Sequence, residues 1–404
     1  MLQSILCLLT MPMKRLRPLT AAMALAATPS TALDLAKPPD SLRIALFNAS
    51  LSREGAGKLI FDIEKGTDKQ PLRVAEIILR TGPDILILNE FDYDPLHRGL
   101  TSFAGVLARG ISDLPGIEYP YRFHPAVNTG VPSDHDLDRD GVIAGPGDAF
   151  GFGRFPGQYG MAVLSRYPLS PAQTYRLFRW RDLPGARRPR NPDGSAFYTD
   201  AAWEDFRLSS KSHFNLPVML PDGRALHLLV AHPTPPVFDG PENANGLRNG
   251  DEIRLLTSLI DAPSWLKDDA GIPAVKPEHF VVAGDLNADP VDGEGDHIAM
   301  DNLLGHPRVQ DPRPTSPGAL EAADQGGANA SHLSDAAQDT ADWRDKPGPG
   351  NLRVDYLLGS ENLNILKSGV FWPPRKDPLE PLVRMGRNPA SSDHRLVWID
   401  IATP

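Results

Sequence analysis

The residues of this sequence best suited to do chemistry follow a short apolar run. Residues 280–283 are apolar and include β-branched side chains, which predicts a buried strand, and Gly284 lets the backbone turn where the strand ends. Asp285 and Asn287 come next, and their spacing puts both side chains on one side if the extended backbone continues. An ordinary Asx turn explains the same residues. The hypothesis of a site therefore depends on the rest of the chain.

Two predicted strands near the start of the chain also end in polar side chains. Residues 41–50 predict a first strand with Asn48 at its end, and residues 84–90 predict a buried strand that ends at Glu90. A helical pattern over residues 72–79 connects them. If the two strands are neighbours, the amide and the carboxylate can share a cation, because hard oxygen atoms are the ligands that Mg²⁺ prefers.

Later strands add histidines and further carboxylates. Residues 214–231 predict a hairpin, and His232 leaves its second strand just before a proline-rich loop, which favours a site role over a structural one. Asp355 lies within another predicted strand. Asp393 and His394 directly precede the last predicted strand of the chain.

Composition limits the classes of function. The chain has 404 residues, of which 41% are hydrophobic, and no apolar run long enough to span a membrane. A formal net charge of −10 argues against a protein that holds nucleic acid through its overall charge. An acidic site that binds divalent cations, and phosphates through them, remains compatible with that charge.

The N-terminal residues predict an export signal. Basic residues 14–17 precede an apolar segment at 19–27, and small residues at 30–32 resemble a cleavage site, although a frayed amphipathic helix is an alternative. We expect residues 1–32 to be a cleaved signal peptide that directs the protein to the periplasm or the extracellular medium. The only cysteine, Cys7, would be removed with it, so the mature protein would have no disulfide.

The remaining chain predicts one domain. Residues 33–404 contain no internal repeat and no second hydrophobic block. Polar segments rich in Gly, Pro and Asp, at about 125–158 and 291–350, predict loop insertions.

The first insertion contains half of a calcium-loop pattern. Asp136, Asp138 and Asp140 have the spacing of the first ligands, but Gly147 occupies the position of the expected glutamate and Asp148 follows it. Either a bound Ca²⁺ or a solvated acidic loop explains the pattern.

A basic stretch offers a second candidate for ligand binding. Residues 175–190 contain six arginines together with Phe178 and Trp180, which suit a phosphate-rich or stacking ligand, although pairing with surface carboxylates explains them equally well. Lys211 follows within a segment dense in hydrogen-bond donors and is a candidate for a substrate phosphate contact.

The order of these motifs resembles the endonuclease/exonuclease/phosphatase superfamily, over about residues 42–401. That superfamily includes DNase I-type secreted deoxyribonucleases, abasic-site endonucleases, sphingomyelinases and inositol-polyphosphate phosphatases. The resemblance implies an α/β (α+β) fold, a four-layer sandwich of two packed, mainly antiparallel β-sheets flanked by helices, with the site at one edge. The motifs are Asn48, Glu90, His232, Gly-Asp-x-Asn at 284–287, Asp-Tyr at 355–356 and Ser-Asp-His at 392–394.

The resemblance implies a metal site. Glu90 would be the principal ligand of Mg²⁺ or Mn²⁺, helped by Asn48 and Asp393. The family often has Gln before this glutamate, whereas this chain has Asn89, which puts the surrounding packing in doubt more than the site itself.

The resemblance also implies catalytic roles. His394, held by Asp355, would act as general base on water or stabilise the pentavalent phosphorus. Asp285 and Asn287 would position the nucleophile and a phosphate oxygen, and His232 would be a general acid toward the leaving group. The chemistry needs the same groups, because a cation must neutralise an anionic ester and a base must act near neutral pH.

The predicted function is metal-dependent phosphoester hydrolysis, most closely of the phosphodiesterase or nuclease type. Phosphomonoesterase and phospholipid-head phosphodiesterase activities are alternatives, because one fold serves several substrates. A calcium-dependent binding protein without turnover is an alternative from another class, and it would use the loop at residues 136–140. The oligomeric state cannot be predicted from this sequence.

Overall fold

Twelve strands form the frame of the protein, seen in a computed structural model that describes residues 33–403. The predicted signal peptide lies outside the described residues. The strands are β1 (Ser41–Leu51), β2 (Ile85–Phe91), β3 (Tyr121–Phe123), β4 (Met161–Ser165), β5 (Gln173–Thr174), β6 (Phe214–Met219), β7 (Ala225–Val230), β8 (His279–Asp285), β9 (Val309–Gln310), β10 (Asp355–Ser360), β11 (Ile365–Val370) and β12 (Val397–Ala402).

The strands form two six-stranded sheets. The first has the order β11-β12-β1-β2-β4-β3, and the second has the order β5-β6-β7-β8-β10-β9. Each sheet contains one parallel pair, β1 with β2 and β7 with β8, and the other neighbours are antiparallel. The expected pair of mainly antiparallel sheets is confirmed.

Seven α-helices accompany the sheets in the described residues. The second of them begins at the N-cap Asp68, whose side chain accepts a hydrogen bond from the Gln70 N–H, and ends at Gly82 in the left-handed conformation. The helices are α1 (Lys58–Lys65), α2 (Lys69–Thr81), α3 (Arg98–Arg109), α4 (Asp200–Asp205), α5 (Ala244–Asp261), α6 (His297–Leu304) and α7 (Pro317–Ala323). None of the helices described is both long and apolar enough to cross a membrane.

Alternation along the strands divides the apolar residues between two cores. On β8, Val281 and Ala283 belong to the core shared with the first sheet, whereas Phe280 and Val282 belong to the core beneath α5 and α6. Each fully buried side chain of this kind contributes about 1.5–3 kcal/mol relative to an exposed one. The result is the predicted four-layer arrangement of helices, two sheets and helices.

The register brings the polar strand ends to one edge of the sandwich. Asp285 pairs with Asp355 across β8 and β10, and Asn48 pairs with Asn89 across β1 and β2. The last strand starts at Val397, three residues after His394, so that histidine lies on the loop before β12.

One expectation about local structure is wrong. Asn287 has φ 52°, so the extended backbone does not continue past Asp285 and the two side chains do not share one side.

The second insertion combines loops with short helices. It contains α6 and α7, and its residues Thr340 and Ala341 are fully buried.

Candidate active site

A histidine between two buried carboxylates lies at the centre of the site. His394 Nδ1 is 2.9 Å from Asp355 Oδ2, and His394 Nε2 is 3.7 Å from Asp285 Oδ2. Asp285 also accepts a hydrogen bond from Asn48 Nδ2 at 2.9 Å, which links the two sheets. Buried polar groups need such partners, because desolvation without them is costly.

These contacts determine the charge of His394. Burial disfavours its imidazolium, but Asp355 and Asp285 outweigh that effect and raise its pKa well above the ordinary value. Burial raises the pKa of Asp355 to about 6, while His394 opposes the rise. A cationic His394 at neutral pH is suited to stabilise negative charge on phosphorus and is poorly suited to remove a proton from water.

His232 is brought to the same carboxylate. Its Nε2 lies 3.4 Å from Asp285 Oδ2, and its buried Nδ1 has no hydrogen-bond partner among the described residues. Burial and the nearby Lys211 lower the pKa of His232 to about 4. The ring is therefore neutral at pH 7, which disfavours the predicted role of general acid.

Two of the predicted metal ligands, Glu90 and Asp393, lie beside this centre and are more open to solvent, whereas the third, Asn48, is fully buried. Glu90 and Asp393 are half-buried, and no cationic side chain among residues 33–403 forms an ion pair with either. Burial, and after it Asp393, raises the pKa of Glu90 to about 7. Glu90 has φ 53°, a left-handed backbone that non-glycine residues rarely adopt outside functional sites.

The donor set suits a hard divalent cation, with one adjustment. Two carboxylates without a cationic partner are the oxygen ligands that Mg²⁺ or Mn²⁺ takes. Asn48, however, directs Nδ2 toward Glu90 Oε1 at 3.3 Å, whereas its Oδ1 accepts the Ser50 N–H. The amide would have to turn over to offer oxygen to a cation.

The other two predicted contacts also lie at this edge. Asn287 is half-buried, and its side chain donates to the Pro233 carbonyl at 3.1 Å. Lys211 donates to the same carbonyl at 3.1 Å, and burial lowers its pKa. The negative charges of Glu252, Asp285 and Glu90 oppose that lowering of the Lys211 pKa.

The second insertion supplies a residue that the sequence did not reveal. Trp343 donates from Nε1 to Asp393 Oδ2 at 3.1 Å and packs edge-on against the ring of His394 at 5.4 Å. Ala341 pairs with His394 by a β-bridge, and the Thr340 hydroxyl accepts the Asp355 N–H. Trp343 stands in a polar segment without periodicity, so no sequence signal distinguished it.

We predict that Trp343→Phe weakens the response to metal. Phenylalanine keeps the aromatic packing but removes the hydrogen bond that orients Asp393, which is worth about 1 kcal/mol. The half-saturating Mg²⁺ concentration for hydrolysis should therefore rise about fivefold, with a smaller change in the rate at saturating metal. Trp265→Phe, on the surface, is the matched control. An unchanged half-saturating concentration would show that Trp343 does not position Asp393.

Glu252 is a second residue that the sequence did not reveal. It is fully buried on α5, and its carboxylate accepts the N–H groups of Ser210 and Thr234 at 2.7 and 2.6 Å. Ser210 lies on the same loop as Lys211, and Thr234 lies on the same loop as His232. Glu252 therefore fixes the position of both side chains without reaching the open part of the site.

The basic stretch does not form a stacking surface. Trp180 is fully buried, and its Nε1 donates to Asp251 Oδ2 at 2.7 Å, so no ligand can stack on it. Phe178 packs against Trp265. Four of the six arginines pair with carboxylates: Arg179 with Asp182, Arg181 with Glu204, Arg187 with Asp251 and Arg188 with Asp200.

The acidic loop forms a cluster with different members from those predicted. Asp136 and Asp138 converge with Asp148, their nearest oxygen atoms lying within 4.8 Å of one another, whereas Asp140 stays outside and caps the Val142 N–H. Burial raises the pKa of Asp138. Asp148, one residue after the twelfth position of the calcium-loop pattern, thus takes the place of Asp140 in the cluster.

Comparison with known sequences identifies the family. The sequence profile described as the endonuclease/exonuclease/phosphatase family matches residues 59–394, which include every site residue discussed above except Asn48. The chain belongs to the endonuclease/exonuclease/phosphatase family. No curated protein matches the chain in sequence.

Several solved structures resemble the chain only distantly. A family protein from Beutenbergia cavernae is 18% identical with a TM-score of 0.49, over 90% of this chain and 72% of its own. The human Nocturnin catalytic domain is 15% identical with a TM-score of 0.43, over 90% and 93%. Sphingomyelinase C from Streptomyces griseocarneus is 16% identical with a TM-score of 0.44, over 89% and 99%. No substrate follows from likenesses this weak.

Proposed function

We propose that the protein is a metal-dependent phosphodiesterase of the nuclease type. Membership of the family supports phosphoester hydrolysis in general. The observation that supports the finer proposal is the position of His394 between the buried carboxylates of Asp355 and Asp285, beside Glu90 and Asp393, which form no ion pair within the described part of the chain. Positive and negative groups so arranged suit an anionic ester and a polar nucleophile.

Glu90 and Asp393, with the Asn48 amide oxygen after it turns over, would hold Mg²⁺ or Mn²⁺. When bound, such a cation neutralises negative charge on the phosphate ester. The donor set supports this assignment because it consists of oxygen atoms only.

The remaining residues would bind and orient. Asp285 accepts a hydrogen bond from the attacking water, whose oxygen bonds to phosphorus as the ester P–O bond breaks, and the proton that the water loses passes by way of Asp285 to the leaving oxygen. His394 donates from Nε2 to a phosphate oxygen and stabilises its growing charge, while Asp355 fixes the ring through Nδ1. Asn287 contacts the substrate phosphate from the half-buried rim, and Lys211 adds positive charge below it.

Two other activities fit the same chemistry. A phosphomonoesterase or a phospholipid-head phosphodiesterase needs the same cation, water and imidazolium, and the fold does not select among them. The substrate panel below separates these alternatives.

A calcium-dependent binding protein without turnover is the candidate from another class. The convergence of Asp136, Asp138 and Asp148 in the first insertion favours it. In the catalytic proposal this cluster would be a separate Ca²⁺ site.

The function is tested by assaying residues 33–404 for phosphoester hydrolysis with Mg²⁺, Mn²⁺, Ca²⁺ or EDTA. The substrates are plasmid DNA, RNA, bis(p-nitrophenyl) phosphate, p-nitrophenyl phosphate and a choline phospholipid. We expect cleavage of the diesters with Mg²⁺ or Mn²⁺ and none with EDTA. Turnover of the monoester alone, or of the phospholipid alone, would replace the proposal by that alternative. No turnover with any metal, together with Ca²⁺ binding, would favour the binding protein.

We also propose that the protein is exported to the periplasm or the medium, on the basis of the basic, apolar and small-residue segments within residues 14–32. We expect N-terminal sequencing of the mature protein to begin at Leu33. A chain that keeps residues 1–32 inside the cell would contradict export.

A further inference from the structure

Two arginines that have no carboxylate partner among residues 33–403 lie next to each other. Arg207 and Arg176 both donate from Nη1 to the amide oxygen of Asn128, at 2.7 and 3.3 Å. Neither forms an ion pair with any carboxylate among residues 33–403. Four arginines of the basic stretch at residues 175–190, by contrast, do form such pairs. The shared acceptor is neutral, so it does not offset the two positive charges.

The surroundings hold the two guanidinium groups in place. Asn128 is fully buried, and its Nδ2 donates to the carbonyls of Arg176 and Ser209. The Arg207 guanidinium lies 4.0 Å above the ring of Phe150. Burial, and then the charge of Arg176, lowers the pKa of Arg207. Two adjacent like charges that are partly desolvated favour an anion between or beside them.

The Asp269 carboxylate, whose charge acts on Arg207, is already engaged by the backbone. Asp269 accepts the N–H groups of Arg176 and Leu177 and the hydroxyl of Thr174. It therefore stabilises the turn after β5 and forms no ion pair with either guanidinium. Both arginines are half-buried, so a ligand can still reach them.

Strand register places this pair at the same end of the sheet as the site. Thr174, Phe214, Val230 and Ala283 are paired in one row across β5, β6, β7 and β8. The next row on the same face lies two residues farther along each strand. It contains Arg176, just after β5, at one side, and His232 and Asp285, at the ends of β7 and β8, at the other. Three strand spacings separate β5 from β8, which is about 14 Å.

We propose that Arg176 and Arg207 form a second phosphate subsite, and that the substrate is a nucleic acid strand which extends from Asp285 to this subsite. The inference rests on the proposed phosphodiesterase function. A planar guanidinium matches the oxygen geometry of phosphate, and a pair of them suits a phosphodiester of a polymer backbone. Phosphomonoesters and phospholipid head groups do not carry a second phosphate at this distance.

An exposed aromatic residue near the subsite supports a nucleic acid over other polyanions. Phe152 is 62% exposed and follows Gly151, whose N–H donates to the Asn128 carbonyl at 3.2 Å. A base can stack on such a ring beside a positively charged groove. This position differs from the stacking surface that the sequence suggested at Trp180.

The test compares substrates with and without a second phosphate. Hydrolysis of a dinucleoside monophosphate, which has one phosphate, is measured beside single-stranded DNA and RNA of twelve nucleotides, in the wild type and in Arg176→Gln/Arg207→Gln. We expect kcat/KM of the wild type to rise at least tenfold with length, mainly through KM. The double variant should lose most of this rise, and its salt dependence should become less steep.

Arg190→Gln is the matched control, because Arg190 belongs to the same stretch but is exposed and donates only to the Gly194 carbonyl. Arg207→Lys, which keeps the charge, should retain part of the length dependence and guards against a misfolded double variant. Equal losses on short and long substrates would overturn the subsite, as would wild-type kcat/KM independent of length. If the double variant no longer bound anionic phospholipid vesicles but its kcat/KM still rose with substrate length, the two arginines would be assigned to membrane binding instead. Absence of all phosphoester hydrolysis would contradict the proposed function itself.

Discussion

His394→Ala should lower kcat for diester hydrolysis about 10³-fold, because it removes the positive charge that we place beside the phosphate. The ring has a carboxylate at each nitrogen, Asp355 at Nδ1 and Asp285 at Nε2, and no neighbouring side chain could take over both contacts. Saturating Mg²⁺ should not restore the rate. The measurement is kcat with bis(p-nitrophenyl) phosphate across a Mg²⁺ titration.

The same substitution should destabilise the fold at neutral pH. Removal of the His394 ring leaves the buried carboxylates of Asp355 and Asp285 without a cationic partner. Breaking a comparable buried pair lowers the free energy of unfolding by about 3–5 kcal/mol. The folded-state pKa of His394 is raised, so its stabilising contribution is full below the ordinary histidine pKa and is lost as the pH rises through the raised value. His97→Ala, at an exposed histidine, is the control. A variant that folds and retains wild-type kcat would exclude His394 from catalysis.

Glu90→Gln should abolish the response to metal and lower activity about 10³-fold at a fixed Mg²⁺ concentration. Glutamine keeps the size of the side chain and removes the charge that we expect a cation to need. In the wild type the half-saturating Mg²⁺ concentration should rise about fivefold between pH 7 and pH 6, because protons compete for a carboxylate with a pKa of about 7. The variant should lack this pH dependence.

Without metal, the same variant should be more stable than the wild type above neutral pH. Glu90 has a raised pKa, so the folded state binds its proton more tightly than the unfolded state, and stability decreases as the pH rises from the ordinary glutamate pKa to about 7. Thermal unfolding in EDTA at pH 5 and pH 8 measures this difference. Glu64→Gln, at an exposed glutamate, should behave as the wild type in both experiments. Mg²⁺ activation that survives Glu90→Gln would refute the assignment of the ligand.

The strand ends were predictable because strand periodicity and polar chemistry coincide there. The residues Asn48, Glu90, His232 and Asp285 each follow an apolar run, and two sheets whose strands end at one edge must bring them together. The identities of these residues thus indicated both the fold and the edge of the sandwich at which these side chains meet.

Features that depend on distant contacts could not be predicted. The turn at Asn287 follows from its left-handed backbone, and Trp180 is buried because Asp251 on α5 accepts its N–H. Trp343 reaches Asp393 only because Ala341 pairs with Leu352 and His394. Neither charge nor periodicity in the local sequence specifies such long-range partners.

The pairing of β1 with β12 makes the candidate site dependent on a contact between segments far apart in the sequence. Asn48 is synthesised well before Asp393 and His394, and the antiparallel pairing of Leu46 with Val397 is what brings them together. Such a contact between residues far apart in sequence forms late in folding. A chain that has not yet paired β12 with β1 would therefore have no assembled centre.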